Sequence, residues 1–199
     1  MPTPNLILAS QSKSRGALMR NAGLTFEQMS SRLDEDAVKA AMRQDGESTT
    51  RQAETLAELK AQKISSGTPG IVLGADQMLD LEGEGFDKPK SLDEARENLR
   101  KLRGKTHTLE TALVACENGT PIWRIVTRPK LTMRSFSDDF IENYLENIGD
   151  AAFSTVGAYQ LEGLGAQLFA RIEGDYFSIL GLPLIQLLDW LRARGMIAT

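Results

Sequence analysis

Short apolar runs alternate with segments of helical period along this chain, and turn residues separate them. Leu6-Ile7-Leu8 is an apolar run that ends in Ala9 and gives way to the polar loop Ser10-Gln11-Ser12-Lys13-Ser14-Arg15. Ala17, Leu18 and Ala22 then recur at helical spacing up to Gly23, so the opening reads strand, loop, helix. A second strand is predicted over Phe26–Ser30, followed by a polar segment from Asp34-Glu35 to Gly46. Thr49 with Gln52 has the spacing of a capping box for a helix through Ile64, in which Ala53, Leu56, Ala57 and Ile64 share a face that Lys60 interrupts. A lysine on an apolar face needs explaining.

Ile71-Val72-Leu73-Gly74-Ala75-Asp76 reads as a buried strand ending in a carboxylate, with Met78, Leu79 and Leu81 carrying it to a turn at Glu82-Gly83-Glu84-Gly85. Ser91 and Glu94 open a helix that Gly104 stops. Thr106–Ala115 and Ile122–Met133 flank Glu117-Asn118-Gly119, a hairpin signal that predicts long antiparallel strands. A helix capped by Ser137 through Asn147, strands over Gly165–Ile172 and Tyr176–Leu180, and a closing helix over Pro183–Arg194 complete the pattern. The sum is a mixed α/β architecture with helices on a mixed or largely antiparallel sheet. Neither repeats nor long linkers divide it, so residues 1–199 read as one domain, within the roughly 100–200 residues usual for one.

Composition narrows the function. With 27 acidic against 23 basic residues, a formal charge of −4 and 6% aromatics, the chain lacks the basic stripe with exposed aromatics of a nucleic-acid binder. One cysteine, Cys116, offers neither an internal disulfide nor a thiolate metal site. Met1–Ala9 has one short apolar run without a basic flank, and no stretch reaches the ~18 apolar residues of a membrane span. The expectation is a cytoplasmic protein with no membrane and no nucleic-acid polymer as partner.

Three hydroxyls and two cations in Ser10, Ser12, Lys13, Ser14 and Arg15, between a strand and a helix N-terminus, suit a phosphate. The P-loop pattern is absent, and a plain capping loop would look similar. Asp76, placed where open α/β sheets hold ligands, suits Mg²⁺ or a water, and equally a turn cap. Asp34-Glu35 and Lys88-Pro89, each alone, read as a helix cap and a surface loop. His107, the one histidine, lies in a strand pattern and reads as a packing residue.

Taken together, Leu6–Ser10 with Ser12 and Arg15, Asp34-Glu35, Leu73–Asp76, Lys88-Pro89, Leu102–His107, Gly157–Tyr159 through Glu162-Gly163, and Gly181–Leu184 resemble the Maf family of nucleoside triphosphate pyrophosphatases over nearly the whole chain. The resemblance implies an elongated, largely antiparallel sheet flanked by helices, in two lobes around a central cleft. It also implies a cytoplasmic homodimer that uses a divalent metal, Mg²⁺ or Mn²⁺, to hydrolyse a nucleoside triphosphate to monophosphate and pyrophosphate. By position, Ser10 and Arg15 match the phosphate-binding loop, Glu35 and Asp76 the acidic, metal-holding residues, and Lys60 and Lys88 the phosphate-contacting lysines. The family's Ser-Pro-Arg-Arg is Ser12-Lys13-Ser14-Arg15 here, its Asp-Thr is Asp76-Gln77, its glutamine is Glu162, and its Lys-Ala is Thr155-Val156. Gln77 and Glu162 are similar to the branch associated with 7-methyl-GTP, which makes Ser10, Ser12, Lys13, Ser14, Arg15, Gln77 and Glu162 candidate substrate contacts. The rival reading is a non-catalytic nucleotide-sensing or cell-division regulator on the same fold. Two acids beside two lysines favour catalysis.

Overall fold

A computed structural model describes residues 5–198; residues 1–4, where the Met1–Ala9 segment begins, and residue 199 lie outside the described residues. Eight strands among the described residues form a mixed, largely antiparallel ladder in the order β2 (Glu27–Gln28), β1 (Leu6–Leu8), β3 (Ile71–Leu81), β5 (Thr106–Glu117), β7 (Lys130–Met133) and β8 (Phe169–Glu173), with β4 (Glu84–Phe86) on β3 and β6 (Thr120–Thr127) on β5. β1 pairs in parallel with β2 and with β3, whereas β4, β6, β7 and β8 join by antiparallel pairing. The chain divides into two compact units, one holding the residues up to Gln77, Thr111–Thr127 and those from Asp175, the other Met78–Glu110 and Arg128–Gly174. Among the described residues no helix is long and apolar enough to cross a membrane.

The first unit starts with β1 (Leu6–Leu8), α1 (Lys13–Asn21) and the two-residue β2 (Glu27–Gln28). Ser12 caps α1, so Lys13, Ser14 and Arg15 form its first turn rather than an extended loop. The polar segment after Asp34 is a helix, α2 (Glu35–Gln44), with the Asp34 carboxylate accepting from the Ala37 N–H at 3.0 Å. In α3 (Thr49–Ser65) the cap is Ser48, one residue before the Thr49 that the capping-box spacing favours. The stripe Ala53, Leu56, Ala57, Lys60, Ala61 and Ile64 is buried as its period requires. β3 (Ile71–Leu81) runs straight through Asp76, which therefore lies inside the strand and not at its end. The core contains Leu6, Leu8, Met19, Leu73, Ala75, Leu113, Ala115, Leu182, Leu187 and Leu191.

The second unit contains β4 (Glu84–Phe86) and α4 (Leu92–Leu102), the latter capped by Ser91 as its pattern predicts. β5 (Thr106–Glu117), like β3, runs on from one unit to the other. The strand expected over Ile122–Met133 is two, β6 (Thr120–Thr127) and β7 (Lys130–Met133), because Pro129 between them has no N–H for a ladder. α5 (Asp138–Ile148) starts at the Ser137 cap, and β8 (Phe169–Glu173) follows a 3₁₀ turn that takes up Leu164–Leu168. Back in the first unit, Tyr176–Ile179 is a helical turn, α6, and not a strand: the Asp175 carboxylate caps it through the Ser178 N–H. α7 (Leu184–Ala193) closes the chain, with Pro183 at its N-cap.

His107 is buried in β5 and shares a 2.8 Å hydrogen bond between its Nε2 and the Tyr159 hydroxyl. Burial pushes its pKa down to about 4, so the ring is neutral at pH 7 and plays the packing part its pattern suggests. Because the unfolded value is near 6.5, the unfolded chain takes up a proton that the folded chain refuses. Stability from this residue is whole above pH 6.5 and drains away between 6.5 and about 4, on the order of 3 kcal/mol in all. Urea unfolding across that window should therefore show wild type losing more stability than His107→Gln. Parallel curves for the two proteins would remove the effect.

Candidate functional site

Alternation along β3 decides which groups meet. Gly74 and Asp76 point to one face of the strand, Ala75 and Gln77 to the other. On the first face lies α3, held close because residue 74 has no side chain: a Cβ there would come within 2.0 Å of the Ala57 carbonyl oxygen and 2.8 Å of the Ala61 nitrogen. That approach brings the Lys60 ammonium, one turn further along α3, to 2.6 Å from Asp76 Oδ1. The same ammonium is 2.8 Å from Glu35 Oε2 at the first position of α2. Lys60 and Asp76 side chains are only 6% and 7% exposed, whereas Glu35 is 41% exposed. Burying such a pair costs about as much desolvation as attraction returns, so apolar residues would serve packing at least as well. Asp76 keeps one acceptor in hand, since Oδ2 is buried without a hydrogen-bond partner.

The phosphate-loop candidates assemble beside this triad. Arg15 donates from Nη1 to the Ala75 carbonyl at 3.0 Å and to Ser10 Oγ at 3.3 Å, and from Nε to the Gly181 carbonyl at 2.7 Å. Burial pulls the Arg15 guanidinium below its ordinary pKa, and the charges of Asp76 and Glu35 push the other way. Ser10 Oγ also accepts from the Ser12 N–H, and Ser12 Oγ accepts from the Arg15 N–H and sits 3.0 Å from Ser14 Oγ. Lys13 and Ser14 are exposed at the positive end of α1. Hydroxyls, cations and a helix N-terminus thus stand next to two carboxylates, a combination suited to a polyanion that carries a metal.

The amide nitrogen of Gln77 is engaged by Thr111 Oγ1 and by the Ser178 and Ile179 carbonyls at 2.7–3.2 Å. Lys88, between β4 and α4, and Glu162, ahead of the 3₁₀ turn, are exposed and belong to the second unit. The sequence reading missed Gln28, whose side-chain N–H groups hold the Ser10 and Ser12 carbonyls at 2.7 and 3.1 Å and so shape the loop. It also missed Thr111 and Ser178, residues whose signal is their position in the fold and not their type, and it took Gly181 only as part of the resemblance.

The family model described as Maf-like protein matches residues 5–194. A nucleoside triphosphate pyrophosphatase of Hyphomonas neptunium is 57% identical over 192 residues, covering 96% of this chain and 97% of that protein. Another of that name, from Caulobacter vibrioides, is 52% identical over 94% of each chain. A 7-methyl-GTP pyrophosphatase of Rhizobium etli is 47% identical over 98% of each. With a match that spans nearly every described element, and with Arg15, Glu35, Lys60 and Asp76 gathered in one place, the chain belongs to the Maf-like protein family.

Proposed function

We propose that this protein is a nucleoside triphosphate pyrophosphatase, which adds water at the α-phosphorus and releases a monophosphate and pyrophosphate. The observation that carries the reading is the Lys60 ammonium bound to both Asp76 and Glu35, with Arg15 anchored on the peptide next to Asp76. Names of the relatives support it. A carboxylate takes the proton of the attacking water, and Asp76 is the better placed of the two because its second oxygen has no competing partner. Lys60, Arg15 and Ser10 present cation and hydroxyl donors to phosphate oxygens, where negative charge gathers as the pyrophosphate leaves. Lys88 is assigned to phosphate on the resemblance alone.

A divalent cation fits this donor set. Among the described residues there is no cluster of three or more His, Cys, Asp or Glu ligands, but Mg²⁺ is ordinarily held by one or two carboxylates together with substrate phosphates and water. Glu35, whose carboxylate is the more exposed of the two, and Asp76 would hold the ion. When bound it would supply charge neutralisation on the phosphates and a more acidic water.

The decisive experiment incubates the purified protein with standard and modified triphosphates and Mg²⁺ or Mn²⁺. Monophosphate plus pyrophosphate is expected; diphosphate plus phosphate, or no turnover, overturns the reading and returns the chain to the regulator class. Solution mass measurement reads the homodimer that belongs to the same proposal, as does work on a cytoplasmic nucleotide pool.

Within that activity we assign Glu162 to base recognition, favouring guanine nucleotides such as 7-methyl-GTP, the substrate named for the Rhizobium etli relative. Its exposed carboxylate accepts in parallel from neighbouring ring and amino N–H groups, whereas uracil and thymine flank a single N–H with carbonyl oxygens. A charge-assisted bond of about 1.5–3 kcal/mol is at stake. Glu162→Gln should therefore shift the kcat/KM ratio of guanine to pyrimidine triphosphates by roughly tenfold or more towards dTTP and UTP. An unchanged ratio removes Glu162 from specificity.

A further inference from the structure

Gln77 points away from Asp76, into a knot of polar groups between β3, β5, β6 and α6. Its Nε2 lies 2.7 Å from Thr111 Oγ1, 3.0 Å from the Ser178 carbonyl and 3.2 Å from the Ile179 carbonyl. Two carbonyls accept only, so the amide nitrogen and not its oxygen must face them. Thr111 Oγ1 donates onward to the Ser178 carbonyl at 3.0 Å, Thr127 Oγ1 donates to Ser178 Oγ at 2.8 Å, and Asp175 Oδ1 accepts from the Ser178 N–H. Ser178 is completely buried. Three residues on, Gly181 donates its N–H back to the Ser178 carbonyl and adopts φ +97°, a conformation that favours glycine. Its carbonyl then accepts the 2.7 Å bond from Arg15 Nε, and a Cβ at 181 would stand 3.3 Å from that nitrogen.

We infer that Gln77 is a positioning residue for Arg15, acting through the turn from Ser178 to Gly181. Arg15 is held at two carbonyls: Ala75, on the strand beside Asp76, and Gly181, on the turn. Gln77 is the side chain of that same strand that grips the turn, so one segment of β3 sets both ends of the guanidinium's anchorage. Loss of the grip frees the Gly181 carbonyl and lets the guanidinium swing, and a misplacement of about 1 Å in such a group is worth on the order of 10²-fold in rate. The functional consequence rests on the reading of Arg15 as a phosphate-binding group; the positional one does not.

The test has a readout for each. In nuclear magnetic resonance of the protein with ¹⁵N-labelled arginine, the Nε–H signal of Arg15 is assigned by its disappearance in Arg15→Lys. It should move, and exchange with water at least about tenfold faster, in both Gln77→Met and Thr111→Val, the second variant guarding against a folding failure of the first. In kinetics, Gln77→Met should lower kcat/KM for pyrophosphate release by roughly tenfold or more, yet by less than about twofold in the Arg15→Lys background, as coupled residues require. An unmoved Arg15 signal overturns the positioning role whatever the activity. Equal kinetic losses in both backgrounds also overturn it and make Gln77 a direct substrate contact. A responding signal in a wild-type protein that releases no pyrophosphate upholds the positioning role and overturns the proposed function instead.

Discussion

Asp76→Asn is expected to cut pyrophosphate release by about 10²-fold or more while leaving the protein folded. Asparagine keeps the size of the side chain and an oxygen for the Lys60 ammonium, which also retains Glu35. What it loses is the charge, and with it a base for the attacking water and a ligand for a cation. The stability cost should be about 1–3 kcal/mol, because the new amide nitrogen falls where the buried Oδ2 has no partner and is left unsatisfied. Steady-state kinetics alongside denaturant unfolding separates the two effects. Near wild-type kcat in a folded Asp76→Asn protein would falsify its role as base and ligand, and would leave Glu35, the other acid on Lys60, to take the proton.

The part of this site that was legible in the sequence is the part written in local periodicity. Lys60 recurs with Leu56, Ala57 and Ile64 on one helical face, so its burial follows from spacing alone. Its partner does not: Asp76 reaches Lys60 only because Gly74 lets α3 settle onto β3, and a run of apolar residues says where a strand is buried without saying what lies on it. The Asp34 cap is legible in the sequence, but the length of α2 is not, because its apolar stripe is short, Val38, Ala41 and Met42, and none of its residues is fully buried. Tyr176–Leu180 has the composition of a short strand, and Asp175, three residues before Ser178, was the contrary signal. Arg15 joins Gly181 across 166 positions and Gln77 joins Ser178 across 101. No local pattern records such a pairing, so the resemblance to a family, and not the physics of neighbouring residues, is what drew Arg15, Glu35, Lys60 and Asp76 into one hypothesis.

Lys60→Met should cost more stability than Asp76→Asn. It removes the group that bonds both Asp76 and Glu35, and Asp76, 7% exposed, cannot turn to water as the half-exposed Glu35 can. Breaking a buried pair from one side typically costs about 3–5 kcal/mol, since the remaining charge is left desolvated. Turnover should fall as well, through the loss of a cation at the phosphates. The double variant Lys60→Met with Asp76→Asn then distinguishes charge from shape: with the stranded carboxylate gone, it should recover a substantial part of the lost stability and none of the activity. Additive stability losses would mean that Lys60 and Asp76 do not depend on each other, contrary to their 2.6 Å contact. A Lys60→Met protein that is more stable than wild type and fully active would make the lysine a surplus charge on a packing face, and would leave Arg15 as the cation that serves Asp76.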